Sequence, residues 1–71
     1  GRRELEMRIF TLLGQAAWRQ SKYIQAREAQ TQALMIAREL GRRSDEATSV
    51  NNLAAFAYSQ GQLADAAAGY Q

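Results

Sequence analysis

GRRSDEATSVNNLAAFAYSQGQLADA, residues 41–66, can be laid without gaps over GRRELEMRIFTLLGQAAWRQSKYIQA, residues 1–26. Identities fall at Gly1/Gly41, Arg2/Arg42, Arg3/Arg43, Glu6/Glu46, Leu13/Leu53, Ala17/Ala57, Gln20/Gln60 and Ala26/Ala66. Size class is kept at Phe10/Val50, Gly14/Ala54, Trp18/Tyr58, Ser21/Gly61 and Tyr23/Leu63. Repetition at a fixed interval is the mark of an array of one supersecondary unit, and it outranks other signals. The chain reads as one domain over residues 1–71. A unit of about 40 residues (1–40) is followed by an incomplete copy (41–71), about 1.8 copies in all.

The unit is helical. Proline is absent and Ala, Gln, Arg, Leu and Glu dominate, all strong helix formers. From Leu5, apolar residues recur at Ile9, Leu12, Leu13, Ala16 and Ala17, the 3.6-residue period of a helix, which predicts a first helix from Glu4 to about Gln20. Ser21–Lys22 breaks it. A second helix is expected from Tyr23 to Leu40, with Ala26, Ala29, Ala33, Ala37 and Leu40 on one face. Gly41 suits the left-handed position after a helix C-terminus, where a Cβ would clash. Ser44 reads as the cap of a third helix, with Asp45 and Glu46 in its first turn. Ala47, Val50, Leu53, Ala54 and Ala57 form its expected buried stripe. Gly61 is expected to end it, and Leu63 to Gln71 to begin a fourth helix.

These elements predict an all-α fold: antiparallel hairpins stacked as an α-α superhelix, three full helices and a partial fourth. Small residues are expected where helices cross, at Gly14/Ala54 and Ala26/Ala66, with Phe10, Leu13, Tyr23 and Leu34 filling the remaining space. A two-hairpin array cut inside its fourth helix exposes apolar surface. A second copy of the chain, or a longer parent chain, is therefore expected to cover it.

Composition removes several function classes. The chain of 71 residues has neither Cys nor His, so disulfides, nucleophilic triads and the usual soft metal sites are not expected. The carboxylates are scattered, and Asp45–Glu46 read as first-turn charges rather than an acid/base pair. Gly1, Gly14, Gly41, Gly61 and Gly69 are isolated, so no phosphate loop is formed. No enzymatic activity and no cofactor are expected. A net charge of +2 is too small to argue for nucleic acid or an anionic membrane. The basic cluster Arg38, Arg42, Arg43 lacks interleaved aromatics. No apolar run approaches the length of a membrane span, and a cytoplasmic location is expected. What remains is binding of a protein or peptide partner.

At these residues the chain resembles the tetratricopeptide repeat. Phe10, Leu13 and Gly14 fit its first block, Ser21 its turn, Tyr23 the aromatic that follows, and Ala26 and Ala33 its second helix. Val50, Leu53, Gly61, Leu63, Ala66 and Tyr70 fit in the second copy. Ala17 and Ala57 stand where that family has Tyr, Gln30 replaces an aromatic, and the interval exceeds the common one of about 34. The length is similar to the longer subclass of kinesin light chains, Pins-type adaptors and MalT-type regulators; HEAT-like repeats share it. The implied packing set is Phe10, Leu13, Gly14, Ala17, Tyr23, Ala26 and Ala33, then Val50, Leu53, Ala54, Ala57, Leu63, Ala66 and Tyr70.

The resemblance also implies a concave face lined by the first helix of each hairpin. Its expected peptide-binding residues are Arg8, Thr11, Gln15, Arg19, Asn51, Asn52 and Tyr58, with Trp18, Thr48, Ala55 and Ser59 beside them. Such a face suits an extended or helical peptide of some acidic character. Asn52 matches a family Asn that contacts ligand backbone, and it reads equally as a hydrogen bond between repeats. Trp18 and Tyr58 read as packing between neighbours. The alternative function is a structural segment that self-associates through its exposed helical face.

Overall fold

The computed structural model describes the backbone of residues 1–69 and the side-chain surroundings of residues 1–61. The described residues form three helices and no strand: α1 (Arg2–Arg19), α2 (Tyr23–Glu39) and α3 (Arg43–Gly69). Helix α2 lies in the middle and packs against α1 on one side and α3 on the other. The molecule is a thin layer of 50 × 20 × 12 Å.

Both chain reversals use one device. After α1, Ser21 takes a left-handed backbone, φ 62°. The amide of Lys22 then donates to Ala17 O at 2.8 Å, and that of Ser21 to Trp18 O at 3.0 Å. After α2, Gly41 has φ 69°. There Arg42 donates to Ala37 O at 2.9 Å and Gly41 to Arg38 O at 3.1 Å. Each is a Schellman closure, in which two amides beyond the helix satisfy two of its last carbonyls. Glycine adopts this backbone freely, whereas a side chain there costs about 1 kcal/mol. Ser21→Gly is therefore expected to raise stability by about 0.5–1 kcal/mol, read as a higher urea midpoint at unchanged m-value.

Two element ends differ from the sequence expectation. Ser44 does not cap α3: the helix opens at Arg43, its first hydrogen bond runs from Glu46 N to Arg42 O, and Ser44 O accepts from Thr48 Oγ1 at 3.0 Å. Nor does Gly61 end α3, so the turn and fourth helix expected there are not formed. The helix runs through to Gly69, and a Cβ at Gly61 would meet nothing within 4 Å. One glycine inside a helix costs only about 1 kcal/mol.

The core lies on both sides of α2. Met7 of α1 clusters with Ala33, Ile36 and Ala37 of α2, and Phe10 packs against them. Closest approach falls at Gly14, where an added Cβ would stand 3.2 Å from Ala26 O. On the other side Phe56 is buried and stacks on Trp18, ring centroids 4.5 Å apart, while Trp18 also meets Tyr23 at 4.8 Å. Arg3 ties the ends of α1 and α2 together. Its guanidinium forks onto Glu39 at 2.8 and 2.9 Å and reaches Glu6 at 2.7 Å. The hydrogen bonds from Arg3 hold the Glu39 carboxyl below its ordinary range.

The buried faces of α1 and α3 are not the ones the periodicity indicates. In α1 the buried line is Met7 and Gly14, with Phe10 and Ala17 half-buried, while Leu5, Ile9, Leu12, Leu13 and Ala16 are exposed. In α3 the line against α2 is Ser49 and Phe56, with Asn52 and Leu53 half-buried. Ala47, Val50, Ala54 and Ala57 are exposed. They stand 40 positions after Met7, Phe10, Gly14 and Ala17, the α1 face that meets α2. Because α3 continues past Gly61, no helix folds back to meet them. The expectations for Leu63, Ala66 and Tyr70 lie outside the residues whose side chains are described.

Candidate functional site

α1 and α3 flank α2, and a groove of about 280 Å³ opens along α1 toward the start of α3. It is lined by Met7, Arg8, Thr11, Leu12, Gln15 and Asp45. The spacing explains the convergence. Residues 8, 11, 12 and 15 of a helix share one flank, and the Schellman turn after α2 delivers Asp45 in the first turn of α3. Thr48, Asn51, Ala55 and Tyr58, all exposed, continue from Asp45 along α3 at three- and four-residue steps.

Three of the expected peptide-binding residues therefore meet: Arg8, Thr11 and Gln15. Thr11 Oγ1 donates to Met7 O at 3.1 Å, which leaves its lone pairs to accept from a ligand amide. Gln15 is exposed at the groove wall, with a donor and an acceptor on one flat amide. Met7 and Leu12 supply the apolar component. Arg19 lies on α1 beyond the groove, Asn51 is exposed on α3, and Tyr58 is 66% exposed.

Arg8 is committed within the chain. Its Nη2 reaches Glu4 Oε1 at 3.1 Å, Glu4 Oε2 meets Arg42 Nη2 at 2.7 Å, and Arg42 Nη1 stands 3.6 Å from Asp45 Oδ2. Two cations alternate with two carboxylates, so this end of the groove is close to neutral. Arg8 is 68% exposed and reaches Glu4 through one nitrogen, so the rest of its guanidinium fork stays open to a ligand. All three pairs are at the surface, where such contacts contribute little to stability but fix side-chain direction.

Asn52 faces the chain's own interior. Its Nδ2 donates to Gln30 Oε1 at 3.2 Å, and Gln30 Nε2 donates to Ser49 Oγ at 3.0 Å. Gln30 is 0% exposed and Ser49 2%. Among the described residues no buried side-chain polar atom lacks a partner. The triad pins α2 to α3 and sets their register, which in turn fixes where Asp45 meets α1. The sequence reading marked Gln30 only as a residue in place of an aromatic and passed over Ser49. The available signal was a polar amide inside the small-residue stripe of α2, between Ala26 and Ala33. Phe56 was missed because its counterpart 40 positions earlier is Ala16.

Among the described residues no helix is long and apolar enough to cross a membrane. Comparisons with family models, with curated proteins and with solved structures returned no match.

Proposed function

We propose that this chain is a protein-interaction module of tetratricopeptide type, holding a partner peptide along the groove between α1 and α3. One observation carries the reading: Arg8, Thr11 and Gln15, separated in sequence but on one flank of α1, converge with Asp45 over buried Met7, with Leu12 at the rim. A hydroxyl acceptor, a flat amide and a thioether floor suit a peptide backbone and an aliphatic side chain. With Arg8 paired to Glu4, an acidic ligand is not required. A display selection of random peptides against the folded chain tests this. Enriched peptides are expected to lose affinity about 5–10-fold in Thr11→Val and Gln15→Ala, the effect of one hydrogen bond in a desolvated site, with unchanged melting. Equal binding to parent and variants would overturn it.

A second reading rests on the exposed α3 face: Val50 is 44% exposed and Ala47, Ala54 and Ala57 are exposed. It makes the chain a self-associating segment. Molecular mass measured across a concentration series distinguishes the two, since only self-association predicts a rising mass abolished by Val50→Asp.

A further inference from the structure

Gly-Arg-Arg opens both copies of the repeat, and its two arginines meet different neighbours. Arg42, the first arginine of its tripeptide, reaches back to Glu4 of α1 at 2.7 Å. Arg3, the second arginine of its own, forks onto Glu39 in the last turn of α2 at 2.8 and 2.9 Å. The second arginine therefore ties a first helix to the end of the helix that folds back on it.

Arg43 holds that second place in the later copy, and the matching contact is absent. It is exposed and makes no ion pair among the described residues. The acids that follow it are engaged by other cations: Glu46 pairs with Arg38 at 2.6 Å, and Asp45 stands 3.6 Å from Arg42. Arg43 nevertheless heads a face laid out like the one below Arg3. Ala47, Val50, Ala54 and Ala57, all exposed, follow it as Met7, Phe10, Gly14 and Ala17 follow Arg3. In the first hairpin that face receives α2, with Ala26 at the close approach to Gly14 and Glu39 at the arginine.

We infer that Arg43 is the carboxylate receptor of the second hairpin and selects the helix that completes it. The α1–α2 contact gives the pattern of that helix. It carries a small residue to cross at Ala54, an apolar line such as Ala33, Ile36 and Ala37, and a Glu or Asp in its last turn. The acid follows the small residue at the spacing of Glu39 from Ala26. A face of alanines and one valine accepts helices in several registers. A helix shifted by one turn leaves Arg43 without its carboxylate, so the arginine discriminates between registers. Residues Arg43–Gly69 are one helix, so the completing helix is not among them. Nor is it α2 of a folded second copy, whose two sides are already held by α1 and α3. The inference does not depend on a peptide in the groove between α1 and α3.

The probe is a labelled peptide of residues 22–40, the α2 sequence itself, titrated into the full chain and followed by fluorescence anisotropy. It is expected to bind. Glu39→Lys in the peptide is expected to weaken binding about five-fold, the effect of turning one exposed attraction into a repulsion. Arg43→Glu in the chain should weaken the parent peptide by a similar factor and restore the Glu39→Lys peptide. An acid in the first turn of a helix is favourable, so this variant keeps α3 folded. Arg19→Glu makes the same change in net charge at the far end of α1 and is expected to alter neither affinity. Val50→Asp, at a position 44% exposed, is expected to abolish binding. Equal affinity for the two peptides, failure of the charge exchange, or binding that survives Val50→Asp would overturn the inference. So would no binding by either peptide, or a concentration-dependent dimer that excludes the peptide and is lost in Val50→Asp, which would give the face to a second copy.

Discussion

Gly14→Leu is expected to cost about 3 kcal/mol or more and to lower the melting temperature by about 12–24 °C, read by urea and thermal melts of the helical circular dichroism. At position 14, α1 passes so close to α2 that even a Cβ would stand 3.2 Å from Ala26 O and 3.4 Å from Gln30 Oε1. The nearer atom is backbone, so it yields only if α2 moves as a body, and α2 also carries α3. Overpacking of this kind costs about 1–3 kcal/mol when neighbours can adjust, and here they cannot without separating Gln30 from Ser49 and Asn52. A chain of this length has a total stability of about 4–10 kcal/mol. Gly14→Ala provides the control. The gain of up to about 1 kcal/mol from helix propensity opposes a strain of a few tenths of an ångström, and the variant should melt close to the parent. If Gly14→Leu melted with the parent, the close crossing at Gly14 would be refuted.

The crossing is also where the sequence is most legible. Gly14 and Ala26 are small residues at matched places in two helices, and the chain must reverse between them at Ser21. Gly41 announces the second reversal by the same physics. Two things were not legible. The first is which apolar face of α1 is the inner one. Leu5, Ile9 and Leu12 give a strong 3.6-residue period, but a period marks a stripe without saying what covers it. The weaker line of Met7, Phe10 and Gly14 is the one α2 meets, because a glycine lets the backbones approach and a leucine does not. The second is the fate of Gly61. It stands where Ser21 stands in the first copy, yet reversal depends on what the following segment can bury, a tertiary quantity that local sequence does not carry.

The groove was legible in part for the same reason. Arg8, Thr11 and Gln15 share a flank of α1 by spacing alone. That Arg8 is bound into the chain Glu4–Arg42–Asp45 depends on where the second turn delivers α3. Asn52 shows how one residue type supports two readings. On a helix surface it would offer its amide to a ligand, and here Gln30 already holds that amide. The deciding fact is the position of a third helix, set by contacts 20 or so residues away.

Gln30→Glu isolates the electrostatic part of that contact. The substitution keeps shape and both hydrogen bonds: one carboxylate oxygen still accepts from Asn52 Nδ2, and the Ser49 hydroxyl rotates to donate to the other. The main change is charge, at a site that is 0% exposed and where, among the described residues, no cation touches the triad. The arginines that bridge these helices are engaged elsewhere, Arg38 with Glu46 and Arg27 with Gln60. Burial should raise the new carboxyl by about 2–3 units from its usual value near 4.3, which corresponds to about 3–4 kcal/mol at neutral pH. The sign follows from linkage. Below about pH 4 both folded and unfolded chains carry the proton, and the variant should match the parent. As pH rises, the unfolded chain ionises first, so stability falls until the buried group also releases its proton. Urea melts of parent and variant at pH 4 and pH 7 should therefore agree at the lower value and differ by about 3 kcal/mol at the higher. Equal losses at both pH values would mean that shape, not charge, governs the site. No loss at pH 7 would mean that α3 swings clear of Gln30 to let water in, and the α2–α3 register that places Asp45 beside α1 would not be fixed by this triad.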